Sequence, residues 1–169
     1  MALNELLKER RTAIWQVWRD RILETYPARS AEVFKKGSDP FSNPLGHTVS
    51  TETRRIVDAL IDGDDPGTLG EPLEKIVKIR SIQDFSPSCA VAFAFELGDV
   101  IRAELESQIR DEKTRAELRS FEARLRLLGL LAFDLYTASR ERLYEIRVSE
   151  LKRNINTLLR RAGNPDLDP

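Results

Sequence analysis

The chain has 169 residues, enough for one domain with a sizeable core, and its 27 basic and 28 acidic side chains leave a net charge of -1. That balance gives no general pull toward nucleic acid or an acidic surface, and 41 % hydrophobic content is globular rather than disordered. The lone Cys89 excludes an internal disulfide and favours a reducing setting, no signal peptide is expected behind the charged Glu5–Arg11 run, and no apolar run approaches the ~20 residues of a membrane span. The expectation is a cytoplasmic protein with no membrane insertion.

The first helix is expected to start at Asn4, a good N-cap type, and to carry Leu7, Ile14, Trp15, Trp18 and Ile22 on one face until Pro27 stops it. A short helix should hold Ala31 and Phe34 before Gly37. The stretch Asp39–Thr48, with two prolines and a glycine, reads as an ordered turn pinned to the core by Phe41 and Leu45. A second long helix is predicted from Val49 to Ile61, burying Ile56, Val57, Leu60 and Ile61. Asp62–Gly67 is a surface loop, whose Asp62, Asp64 and Asp65 lack the spacing of a calcium loop.

Pro72 suits the first turn of a third helix that buries Leu73, Ile76, Val77 and the stem of Arg80. Ser86 before Pro87 is a start signal, N-cap then N1. The fourth helix presents Ala90, Phe93, Ala94, Leu97, Ile101 and Leu105 at helical spacing, thickened by Val91 and Phe95. Apolar on nearly every side, its first half should be central in the core, with Cys89 as inert packing. Polar groups gather at its entrance: Arg80, Gln83, Asp84, Ser86 and Ser88. This is the candidate binding site, where Arg80 can meet Asp84 or an anion at the helix N-terminus. The plainer account of the same residues is a structural network, with Arg80 tying the linker and Ser86 capping.

The last helix should begin at a capping box, Thr114-Arg115-Ala116-Glu117, and end at Gly163. Its stripe runs Leu118, Phe121, Leu125, Leu128, Ala132, Leu135, Ser139, Leu143. Gly129 costs about 1 kcal/mol in helix propensity there, which a close helix crossing would explain. Helical from Thr114 to Arg161, this element is roughly 70 Å long, against a radius of gyration of about 15 Å for a compact domain of this size. It must break near 137–139 and fold back, or project. Beyond Ser139, Tyr144, Val148, Leu151, Ile155 and Leu158 follow 4-3-4-3 spacing, that of a dimer coil. The domain is thus expected over residues 1–161, with 139–161 as the candidate dimer helix and 162–169 as a flexible tail.

His47, the only histidine, sits in the Asp39–Thr48 turn, so a His-ligated haem or zinc site is disfavoured, and no cofactor or metal is expected. No phosphate-loop, dinucleotide, zincin or nucleophile-elbow motif occurs, so the chain is read as a non-enzyme. From Arg140 to Arg161 seven basic residues face three acidic ones, a solvated face without the aromatic interleaving of a nucleic-acid site.

Three segments together, D-P-F-S-N-P-L-G at Asp39 to Gly46, K-I-R-S-I-Q-D-F-S-P-S-C-A at Lys78 to Ala90 and L-L-A-F-D-L-Y at Leu130 to Tyr136, resemble the N-terminal sensory domain of the RsbR/RsbRD co-antagonists of bacterial stressosomes. The resemblance implies an all-α, globin-like, haem-free domain that acts as a homodimer in stress-response signal transduction, with a protein partner of unknown identity. Family members continue from their last helix into a phosphorylatable STAS domain. This chain ends in G-N-P-D-L-D-P, so a stand-alone module is expected. Some stand-alone relatives are linked with a membrane redox complex of sulfite reduction, which makes an accessory role there an alternative.

Overall fold

The computed structural model describes residues 2–27, 34, 41–63, 66–83 and 85–163. Among them the protein is all-α: α1 (Leu3–Glu24), α2 (Pro44–Asp62), a 3-10 turn (Pro66–Leu69), α3 (Gly70–Ser81), α4 (Pro87–Leu105) and α5 (Glu112–Gly163). The expected short helix around Ala31 lies outside the described residues apart from Phe34, as do Asp64, Asp65 and residues 164–169 of the expected tail. No described helix is long and apolar enough to cross a membrane.

Helix α1 starts at Ala2 rather than Asn4. Tertiary contacts extend it: Leu3, Leu6 and Leu7 are buried, and the Leu3 N–H donates to Glu117 Oε2 of α5 at 3.0 Å. Helix α2 starts five residues before the expected Val49. Asn43 caps it by accepting the Gly46 N–H at 2.9 Å, and Pro44 occupies N1. A Cβ at residue 46 would lie 2.3 Å from Asn43 Nδ2, so only glycine admits this cap. The earlier start corrects the expected turn. Leu45 packs against the core, whereas Phe41, upstream of the cap, is 94 % exposed and lies outside the core cluster.

Helix α4 packs against α1 and α5, α3 joins α2 to α5, and α1 packs on α2, so α4 is the central element. Its apolar face is buried as expected at Ala90, Phe93, Ala94, Leu97, Ile101 and Leu105. Phe95 departs from the expectation and is 46 % exposed. The cause is the close approach of α5: a Cβ at Gly129 would sit 2.4 Å from the Phe95 ring. The ring lies across the Gly129 backbone instead of inserting between the helices, which is the crossing that the glycine demanded. Cys89 is also exposed, because it occupies the outward side of the first turn with Ser86 and Ser88.

Helix α5 is capped by Asp111, not Thr114. Asp111 Oδ1 accepts the Thr114 N–H at 2.8 Å and Oδ2 accepts its hydroxyl at 2.8 Å. Glu117, the other half of the expected capping box, serves α1 instead. From there α5 runs unbroken to Gly163, about 78 Å at 1.5 Å per residue. No break occurs at residues 137–139 and the tail does not fold back. Residues 144–162 are exposed throughout, so the helix projects.

Candidate functional site

The entrance to α4 is built around Arg80, whose side chain is buried to its tip at 1 % exposure. Its Nε donates to the Ala90 carbonyl at 2.9 Å, one terminal nitrogen to the Cys89 carbonyl at 2.9 Å, and the other to Thr25 Oγ1 at 3.2 Å. The guanidinium also faces the rings of Phe85, Phe93 and Tyr26, at 4.4, 5.5 and 5.7 Å from their centroids. Among the described residues it makes no ion pair. Burial holds the guanidinium below its ordinary pKa, with nearby groups pulling it back up. From that starting value it stays charged at neutral pH.

A buried cation without a carboxylate must replace its hydration with carbonyl dipoles and ring faces. Here the carbonyls come from the first turn of α4, so Arg80 clamps the end of α3 to the start of α4. Thr25 brings in the end of α1. One side chain therefore fixes how three helices meet.

Beside it lies Tyr26, 7 % exposed, edge-on to Phe34 and Phe85 at 5.5 and 5.4 Å between centroids. Burial raises its phenol pKa, while Arg80 and Gln83 lower it, so the hydroxyl faces both. Among the described residues the Tyr26 hydroxyl and Gln83 Oε1 are buried, with the hydroxyl close to both Arg80 and Gln83.

The structure thus divides the five candidate residues. Arg80 and Gln83 turn inward. Ser86 and Ser88 are exposed, with Ser86 Oγ accepting the Cys89 N–H at 3.4 Å as the expected cap and meeting Ser88 Oγ at 3.2 Å. Asp84 lies outside the described residues. Tyr26 and Thr25 were missed by the sequence reading, although Tyr26 continues the α1 stripe four residues after Ile22.

A second feature connects this cluster to α5. Ser81, next to Arg80, meets Ser139 Oγ through its own Oγ at 2.7 Å. Arg140 donates to the Ser81 carbonyl at 3.0 Å and to the Tyr144 hydroxyl at 2.9 Å. These bonds grip α5 at the level where it leaves the body.

Along α5 most of the exposed apolar side chains lie on a different face from the buried ones. The core stripe contains Leu118, Phe121, Leu125, Leu128, Ala132 and Tyr136, all buried. The exposed stripe contains Leu130, Phe133, Tyr144, Val148, Leu151, Ile155 and Leu158. At 3.6 residues per turn the two are about 120° apart. The exposed stripe therefore begins at Leu130, inside the body, with Thr137 and Arg140 filling its intervening steps.

The sequence profile described as the RsbT co-antagonist protein rsbRD N-terminal domain matches residues 12–151. The chain belongs to this family. It is a stressosome-type signalling domain, and the match covers the body, the Arg80 cluster and the first half of the projecting stripe. Comparison with curated proteins and with solved structures finds no match. His47 of this RsbRD-type domain lies in the first turn of α2, and no group of three or more His, Cys, Asp or Glu among the described residues is placed to hold a metal.

Proposed function

We propose that this RsbRD-type domain is a non-catalytic regulator that dimerises through α5 and signals by displacing that helix against the body. The observation that supports it is the exposed stripe from Leu130 to Leu158. It spans about four heptads, roughly 42 Å, twice the length visible from the 4-3-4-3 tail alone. Its own body leaves it uncovered, at a spacing suited to knobs-into-holes packing with a like helix. A surface of this kind marks an interaction site.

The latch at Ser81, Ser139 and Arg140 supports the signalling half of the proposal. It ties the Arg80 cluster to Tyr144, the first residue of the projecting seam. A shift of α3 against α4 would move the grip on α5.

Sedimentation equilibrium tests the dimer. The chain should self-associate at tens of micromolar, and Ile155→Lys should yield monomer with unchanged helicity. The tail carries seven basic against three acidic residues from Arg140 to Arg161, so self-association should tighten as salt screens that charge. A monomer at every concentration and salt would refute the proposal, and would point to an acidic protein partner for the same stripe.

A further inference from the structure

The exposed stripe of α5 is apolar at Leu130 and Phe133 and again from Tyr144 to Leu158, but the two steps between them are Thr137 and Arg140. At 3.6 residues per turn Arg140 lies on the edge of the stripe nearest the body. A guanidinium covered by a second helix loses its water, which is costly unless fixed acceptors replace it. Arg140 finds such acceptors in its own chain. One terminal nitrogen donates to the Ser81 carbonyl at 3.0 Å and the other to the Tyr144 hydroxyl at 2.9 Å, with the guanidinium 5.2 Å from the Tyr144 ring centroid. Ser81 is the last residue of α3, so its carbonyl has no partner within that helix. The Ser81 and Ser139 hydroxyls, 2.7 Å apart, hold that carbonyl against α5.

We infer that Arg140 makes pairing with a second copy of the chain conditional on the position of the end of α3. The inference rests on the proposed dimer and names how the body controls it. While α3 holds Arg140, the guanidinium is drawn to the body side with Tyr144 against it, and a partner helix can close over Phe133 and Tyr144 together. When the end of α3 moves away, Arg140 loses the Ser81 carbonyl and has to keep its water instead. The hydrated charge then wedges the stripe open between its two apolar parts. Arg80, one residue before Ser81, fixes α3 to α4 through the Ala90 and Cys89 carbonyls. A change at that junction therefore reaches the stripe as a change in dimer affinity. The coupling is reciprocal, so closing the dimer holds α3 against α5.

The test is the dimer Kd of the full chain by sedimentation equilibrium at fixed ionic strength, with helicity followed by circular dichroism. Arg140→Met keeps an unbranched apolar stem and removes the charge, so it should dimerise as tightly as wild type or more tightly. Arg140→Lys keeps the charge without the planar fork and should dimerise about tenfold more weakly. Ser139→Ala loosens the end of α3, and should raise the Kd about three- to fivefold in the wild-type chain but leave it unchanged in Arg140→Met. Helicity should be the same in all of them. A weaker dimer in Arg140→Met, wild-type affinity in Arg140→Lys, or the same effect of Ser139→Ala in both backgrounds would overturn the inference and leave Arg140 as a solvated side chain at the edge of the stripe. A wild-type chain that stays monomeric would overturn the dimer and this inference with it, whereas a dimer indifferent to Arg140 overturns this inference alone.

Discussion

The hydroxyls of Ser81 and Ser139 meet at 2.7 Å across 58 positions of sequence. Ser81 ends α3, immediately after the buried Arg80. Ser139 lies one residue before Arg140, whose guanidinium reaches the Ser81 carbonyl and the Tyr144 hydroxyl. The packed body and the projecting half of α5 are joined at this contact.

Removing that contact should loosen the junction without unfolding the domain. Ser139→Ala is expected to cost about 1 kcal/mol, the net worth of one hydrogen bond. Amide hydrogen exchange should accelerate around residues 139–144 and stay unchanged in α1. Equal acceleration in both regions would show that Ser139 serves only global stability.

Arg80 is the most demanding side chain in the core. Arg80→Ala leaves the Ala90 and Cys89 carbonyls and Thr25 without their donor and opens a cavity among three rings. The expected loss is about 3–5 kcal/mol in urea unfolding. Arg80→Lys keeps the charge but not the planar fork, and should recover less than half of that. Full recovery by lysine would mean that charge alone is needed there.

Gly129→Ala opposes two effects. Alanine gains about 1 kcal/mol of helix propensity, but its Cβ would lie 2.4 Å from the Phe95 ring. Overpacking costs typically about 1–3 kcal/mol, so the variant should be less stable, though Phe95 is half-exposed and can swing aside. Phe95→Ala in the same chain should then remove the penalty, and a double-mutant cycle reads the coupling.

The helix faces and the glycine crossing were legible because each obeys a local rule: 3.6-residue periodicity, Ser-Pro at a start, a glycine misplaced in a stripe. The caps of α1 and α5 were not. Asn4 and Thr114 are good cap types, yet Ala2 and Asp111 precede them, because Leu3 is buried and Glu117 is drawn to another helix. Such competition between equally suitable residues is settled by tertiary contacts. Similarly, Arg80 stood out as polar at the edge of the core, but its carbonyl and ring partners carry no sequence signature. The exposed stripe was half seen. Leu130 and Phe133 fall outside the predicted stripe and were assigned to no face, and the structure shows them exposed.

Acid should weaken the α2–α3 contact in a defined window. Glu71 lies between Arg55 at 2.9 Å and Lys75 at 2.7 Å. These cations lower its pKa from the ordinary 4.5 to about 2. The unfolded chain therefore binds this proton more readily than the folded one. The stabilisation is complete above pH 4.5 and disappears as pH falls toward 2. Asp62 beside Arg11, Asp111 capping α5 and Glu112 beside Arg119 shift in the same direction. Tm should fall over this range, and Glu71→Gln should flatten part of the slope. A pH profile identical to wild type would show that the exposed cluster does not contribute.

The most direct test of α5 as the signalling seam is disulfide scanning in a Cys89→Ser background. Single cysteines replace each residue from Tyr144 to Leu158 and the chain is mildly oxidised. Crosslinked dimer should peak at Val148, Leu151 and Ile155 and be least at Arg153, on the opposite side of the helix. Crosslinking at no position, or at all positions alike, would contradict a dimer built on this stripe.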